Sequence, residues 1–339
     1  MGWRVKTRFN SDLKRMCVMV IRVLGCLIAA ALFMAAPAAF AQDYPSRTIK
    51  IIVPFTAGGT SDLLAREIGH NFTEDWGQPV VIENRPGAGG AIGTAMVAHS
   101  AADGYTLLMG SNAALAVSPY IIKETEYDPA KDFKAISLVA KIQNLLVVNQ
   151  AIPVRTVPEL LDYAKSHRLI FASYGIGSSP HMSAEMFEKM GGVQMTQVPF
   201  RGAPEAMTEL LAGRVNLIFD NLPSALPIAK AGKLNAIAVT GNHRSTLVPE
   251  VPTIAESGLP GFDVTTWYGL VAPAGVPDSI ISKLSTEVAA VLARPDVRGR
   301  LVAAGTEPQS MTPQEFAGFI GGEQTRWRKL IADVGLEVN

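Results

Sequence analysis

Cysteine is almost absent from this chain of 339 residues. Its two cysteines, Cys17 and Cys26, both fall in an N-terminal segment that reads as an export signal. A mature chain without them has no thiol for a disulfide, a metal or a nucleophile, so its stability must come from a core. Net charge is absent as well, with 30 Lys and Arg against 30 Asp and Glu. Loss of residues 1–41 removes six basic residues and one acidic residue, which leaves 24 against 29 and a charge near −5. No basic stripe remains to attract nucleic acid. Beyond residue 41 no stretch approaches the roughly 18 uncharged apolar residues of a membrane span.

Catalytic signatures are equally scarce. The sequence has no G-x-S-x-G elbow, no Walker lysine behind a glycine loop and no H-E-x-x-H. Its five histidines, His70, His99, His167, His181 and His243, show no metal-ligand spacing. Ser178, Ser179 and His181 bring a hydroxyl near an imidazole, and a helical register would aim them apart from a shared acid. The chain reads as a non-enzyme without cofactor or metal; a secreted hydrolase is the weakest alternative.

The signal itself is well formed. Arg4, Lys6, Arg8, Lys14 and Arg15 precede an apolar stretch, and Ala39-Phe40-Ala41 offers a small-x-small cut before Gln42. The expected product is a free, monomeric periplasmic protein. Its roughly 298 residues exceed what one core usually accommodates, so two lobes are expected.

Strand-like runs at 49–53, 80–83 and 106–110 alternate with helical patterns such as Leu64, Ile68 and Phe72. That alternation predicts βαβ units and a largely parallel α/β sheet. A second series starts near Val147, with a capping box at Thr156 to Glu159 and strands at 169–173, 215–219 and 234–239. From Pro273 the pattern turns helical, and Thr312 to Glu315 forms a second capping box. Helices after the second series would return to the first lobe. The expected domains are 42–146 with 269–339, and 147–268. Two chain crossings, near Val147 and near Val264 to Leu270, would form a hinge beside a cleft.

The residues with the most to say lie where strands run into helices. Ile49 to Val53 leads into Pro54-Phe55-Thr56-Ala57-Gly58-Gly59-Thr60-Ser61-Asp62. Such a junction aims backbone N–H groups at one point before a helix, which suits a carboxylate or phosphate. A matching loop, Tyr174-Gly175-Ile176-Gly177-Ser178-Ser179-Pro180-His181, follows the strand ending at Ser173. Ser179 is a plausible N-cap with Pro180 at the first helical position, which would leave Ser178 and the glycine N–H groups to reach an anion. Each loop alone is also what a plain βα connection needs; one per lobe favours a pincer.

Asn84 to Gly93 is glycine-rich but departs from G-x-G-x-x-G and lacks the acidic residue of a dinucleotide fold. It either places Asn84 near the cleft or only packs. Arg201 could pair with a ligand carboxylate or with a neighbouring Glu. Asp220 could hold a ligand ammonium or water, or serve as a cap. Trp267-Tyr268 at the second crossing would either cover a ligand or pack the hinge.

Five segments in order, Val53 to Gly59, Glu83 to Gly90, Asp103 to Leu108, Phe219 to Ser224 and Ala272 to Pro277, resemble the hallmarks of the tripartite tricarboxylate transporter substrate-binding (Bug-type) receptors. The likeness covers nearly all of the mature chain. It implies a two-domain periplasmic binding protein that closes like a Venus flytrap and delivers its ligand to a permease of one large and one small subunit. It further implies a carboxylate held by main-chain groups of two facing loops, with a second ligand group setting specificity. Carried onto this sequence, the first loop is Phe55, Thr56, Ala57, Gly58, Gly59, Ser61 and Asp62, and the second is Ser173, Gly175, Gly177, Ser178 and His181. Asn84, Ser111 and Ala113 would line one wall; Arg201, Gly202 and Asp220 would line the other. Citrate, smaller dicarboxylates, acidic amino acids and aromatic carboxylates all fit this reading, as does a receptor that presents its ligand to a sensor.

Overall fold

The computed structural model describes Met16, Met19, residues 44–123 and residues 125–335. The expected signal peptide and its cut before Gln42 lie outside the described residues, apart from Met16 and Met19. The chain divides into two compact units, Met1–Tyr44 and Pro45–Asn339, and the architecture below is that of the second.

β1 (Ile49–Val53) is buried at every position except Lys50. It leads to α1 (Thr60–Trp76), which turns Leu64, Ile68 and Phe72 inward at helical spacing. β2 (Val80–Asn84), α2 (Ala91–Ala98) and β3 (Thr106–Ser111) complete a parallel wing in which β1 pairs with both β2 and β3. A π-helical turn (Ala113–Val117) and the short α3 (Ser118–Ile121) follow.

β4 (Phe133–Asn149) is 17 residues long and carries the chain from one wing to the other. Then come α4 (Val157–Ser166), β5 (Leu169–Ser173), α5 (Ser179–Gly191), β6 (Met195–Pro199), α6 (Ala203–Leu211), β7 (Leu217–Asn221), α7 (Leu222–Lys230) and β8 (Leu234–Val239). β5 pairs in parallel with β6 and β7, which repeats the pattern of the first wing. β9 (Thr265–Pro273) returns between β3 and β4, antiparallel to both. The chain ends with α8 (Asp278–Ala293), α9 (Pro295–Ala303), β10 (Glu307–Pro308) and α10 (Pro313–Val334).

The strands form one sheet in the order β2-β1-β3-β9-β4-β7-β5-β6, with β8 and β10 also on β4. The α/β class is as expected, and the outer strands are parallel. β4 and β9, the two long central strands, are antiparallel because each must traverse the middle of the molecule in opposite directions. β4 changes partners in mid-strand: Gln143 pairs with Thr265 of β9, and the next residue, Asn144, pairs with Asn221 of β7.

Local chemistry explains the helix starts. Thr312 and Glu315 form a reciprocal capping box. Thr156 accepts the Glu159 N–H, but the Glu159 carboxylate takes the Arg155 N–H instead of closing the box. α10 is fastened to β9 through Glu323, whose Oε2 accepts the indole N–H groups of buried Trp267 at 3.0 Å and Trp327 at 3.2 Å. Satisfying two indoles with one carboxylate lets both rings sit deep in the core.

Candidate functional site

The first strand-to-helix loop enters α1 through Gly59, and no side chain caps that helix. Its first-turn N–H groups are therefore left to whatever stands before them. Asp62 is buried in that turn and braces the loop from behind. Its Oδ2 accepts the Gly58 N–H at 3.0 Å and Arg66 Nε at 2.8 Å. Its Oδ1 accepts Arg66 Nη2 and Asn84 Nδ2, both at 3.1 Å. Asn84 also donates to the Phe55 carbonyl at 3.0 Å. Burial pushes the Asp62 carboxyl up, but hydrogen bonds from Arg66, Gly58 and Asn84, with the Arg66 charge, outweigh it and hold the group below the usual carboxylate range. Asp62 and Asn84 thus shape the loop, and Arg66 pairs with the acid that braces its amides.

Around this turn several hydroxyls are buried without a hydrogen-bond partner among the described residues: Thr56 Oγ1, Thr60 Oγ1 and Ser61 Oγ. The end of β3 adds Ser111 Oγ and both polar atoms of the Asn112 amide, all equally unpartnered. A buried polar atom without a partner is costly, so a cluster of them marks a place built to meet a polar guest.

The second loop spends more of its donors on itself. Gly175 N–H goes to Ser173 Oγ at 3.2 Å, and Gly177 N–H goes to His181 Nδ1 at 3.2 Å. Ser178 Oγ accepts the Tyr174 N–H at 3.2 Å and donates to the Gly175 carbonyl at 2.7 Å. His181 Nε2 lies 3.3 Å from Glu185 Oε1, which leaves Nδ1 as the acceptor that pins the loop. The helix start also differs by one residue from expectation, because Ser178 is the N-cap and Ser179 is already in α5. Ser179 Oγ is drawn instead to Asn144, which donates to it at 2.6 Å.

The third junction works through its backbone. Arg201 is exposed; its carbonyl accepts the Thr56 N–H at 3.4 Å, and its own N–H goes to Glu205. Gly202 packs on Thr56 so closely that a Cβ there would overlap the Thr56 hydroxyl. A Cβ on Gly58, in the exposed tip formed with Ala57, would lie 3.5 Å from Pro204. Phe55 meets Tyr174 edge-on, with ring centroids 6.2 Å apart. Ala113 shares a buried cluster with Phe55, Tyr174 and Ala203. The loops after β1, β3, β5 and β6 are therefore gathered at one place.

Asp220, the next-to-last residue of β7, reaches the same place through Tyr174. It is fully buried, and its Oδ1 accepts the hydroxyls of Tyr174 and, at 3.2 Å, Ser224. Burial drives its carboxyl up to about 7, against the pull of those two hydroxyls and of the Asn221 N–H. Beside it runs a buried chain of side-chain bonds that the sequence did not disclose. Tyr268 Oη donates to Asn221 Oδ1 at 2.7 Å, Asn221 Nδ2 to Asn144 Oδ1 at 2.6 Å, and Asn144 Nδ2 also reaches Ser183 Oγ at 3.1 Å. Asn112 was missed as well, although a polar pair ending a buried strand, Ser111-Asn112, is a usable signal. Among the described residues no group of three or more His, Cys, Asp or Glu side chains could hold a metal ion.

The comparisons with known proteins agree with one another. A family model described as "Tripartite tricarboxylate transporter family receptor" matches residues 64–336. Protein BugT of Bordetella pertussis is 36% identical over 322 residues, covering 94% of this chain and 98% of that protein. The solved structure of R. palustris Rpa4515 with adipate is 38% identical with a TM-score of 0.84, covering 86% of this chain and 99% of that one. MatC from Rhodopseudomonas palustris with bound malate is 35% identical with a TM-score of 0.82, covering 85% and 100%.

Proposed function

Because the chain belongs to the tripartite tricarboxylate transporter receptors, a family of periplasmic solute-binding proteins, we propose that it captures a small carboxylate and delivers it to a two-subunit membrane permease. The ligand's first carboxylate lies before α1, on the first-turn N–H groups and the hydroxyls of Thr56, Thr60 and Ser61. Ser111 and Asn112 line the same wall. The second wing closes over it with Gly175, Gly177, Ser178, Gly202 and Asp220. The observation that carries this reading is the uncapped start of α1, with buried hydroxyls around it that have no partner among the described residues.

Residues 42–146 with 269–339 act as one lobe and 147–268 as the other, with the pivot where β4 changes partners. Binding, not bond-breaking chemistry, drives the cycle: each lobe adds its contacts only when the two are shut, so the ligand favours the closed state. The protein works as an exported monomer and needs no cofactor. Adipate and malate are bound by two relatives, and acids of that size are the first candidates here.

A thermal-shift screen against mono-, di- and tricarboxylates and acidic amino acids tests this. One class is expected to raise the melting temperature by several degrees, as mass action requires of a ligand that binds only the folded state. No shift with any acid would refute it.

A further inference from the structure

A cavity of about 260 Å³ lies where the segment after β8 meets α9 and β10. None of its lining residues comes from the loops after β1, β3, β5 and β6 that form the candidate site. It reaches instead to Gln143, the residue after which β4 changes partners.

Gln143 is only 4% exposed, and a neighbour orients its amide. His243 Nδ1 donates to Asn242 Oδ1 at 2.8 Å, which leaves Nε2 of the neutral ring to accept from Gln143 Nε2 at 3.2 Å. The Gln143 Oε1 is then buried with no hydrogen-bond partner among the described residues. A buried acceptor of this kind calls for a donor.

Two opposite charges line the same cavity without pairing with each other. Arg298 gives Nη1 to the Pro308 carbonyl at 3.2 Å, and no acid among the described residues pairs with it. Glu307 Oε1 lies 3.5 Å from His243 Nε2, a nitrogen that carries no proton while it accepts from Gln143. Lys141, the register partner of Glu307 on β4, holds its ammonium 5.2 Å from the Phe319 ring centre instead. Arg244, also on the rim, is engaged by Glu256 at 2.8 Å. Leu222, Leu247 and Val302 add an apolar wall.

We propose that this cavity is a second solute site, for an aliphatic α-amino acid held as its zwitterion: its carboxylate on Arg298, its ammonium on Gln143 Oε1 and Glu307, and its side chain against Leu222, Leu247 and Val302. Each group of the cavity then meets its complement. A guanidinium presents a planar fork that matches a carboxylate, and an ammonium has three donors, enough for both the amide oxygen and the acid. A diacid such as adipate or malate would set its second carboxylate against Glu307, so the cavity refuses it. A plain acid or a plain amine would leave one of the two charges unmet. The inference does not rest on carboxylate capture before α1, and either can fail alone.

Titration calorimetry with L-leucine tests it, with 4-methylpentanoate and 3-methylbutylamine as analogues that lack the ammonium and the carboxylate. Leucine is expected to bind, and each analogue at least about tenfold more weakly. R298Q and E307Q are each expected to weaken leucine by at least about tenfold; both positions are exposed, and should one variant not fold, the other decides. Saturation with adipate or malate, whichever binds, is expected to leave leucine bound. No binding up to about 10 mM leucine, equal binding of an analogue, unchanged affinity in the folded variants, or displacement of leucine by the acid would each overturn the inference. Binding of leucine with no acid bound in the broader screen would uphold it while refuting carboxylate capture.

Discussion

Gly175 and Gly89 stand against each other across the meeting of the two wings: a Cβ added to Gly175 would lie 2.8 Å from the Gly89 nitrogen. Gly89 in turn faces the Ile176 carbonyl so closely that a Cβ would overlap it. The two residues have φ of 101° and 63°, a region in which only glycine sits without strain. One comes from the loop after β2 and the other from the loop after β5, so their contact joins the two wings.

Gly175→Ala is therefore expected to weaken ligand binding by at least about tenfold, or ~1.4 kcal/mol. Gly192→Ala is the control, because Gly192 also has positive φ, at 63°, yet an added Cβ there meets nothing within 4 Å. Both variants carry the backbone strain, and only the first blocks the approach. Calorimetry on the pair separates the two effects; equal loss of affinity would mean that strain, not closure, is responsible.

Tyr268→Phe removes a hydroxyl that joins β9 to β7 and leaves Asn221 Oδ1 buried without that donor. A cost of about 1–3 kcal/mol in stability is expected, read from urea midpoints. A double-mutant cycle with Asn221→Ala is expected to be non-additive, since both changes break the same bond. Additive effects would place the two side chains in separate networks.

Asp62 is held below the usual carboxylate range, so its contribution to stability has a definite pH window. It is fully present above about pH 4, the value of the carboxyl in the unfolded chain, and is lost as pH falls through the lower folded value. Asp62→Asn, which sets an amide donor against Arg66 and Asn84, is expected to lower the urea midpoint by a constant amount from pH 5 to pH 7, with the gap closing below pH 4. A gap that widens in acid would contradict the bracing role.

Asp220 has the opposite sign. Its folded value is raised to about 7, so the folded protein holds a proton that the unfolded chain releases near 4. Stability is expected to fall as pH rises from about 4 to about 7 and to level off above that. Melting curves of the unliganded protein and of Asp220→Asn across pH 5–8 check this: the variant is expected to lose the downward slope that the acid contributes.

Much of this was legible in the residues. Ile49 to Asp62 announces a buried strand, a glycine turn and a helix entry, and Thr312 to Glu315 announces its cap, because local steric and hydrogen-bonding rules decide both. The second loop was legible as a turn but not as a donor set: whether Gly177 N–H faces a ligand or His181 depends on a histidine rotamer that spacing does not reveal. Arg201 was read for its guanidinium, while its carbonyl makes the contact to Thr56. The bond network around Asn144 was illegible altogether, since Asn144 and Thr266 are 122 residues apart and meet only because β4 changes partners between Gln143 and Asn144. No period in a single sequence reports such a change.

The most direct measurement is a crystal structure of the protein loaded with adipate or malate, whichever raises its melting temperature. One carboxylate is expected within hydrogen-bond distance of the first-turn N–H groups of α1 and of Thr56, Thr60 or Ser61, with Gly175 and Gly202 closed over it. A ligand seated away from α1, or bound with the two glycines parted from Gly89 and Thr56, would contradict capture between paired loops.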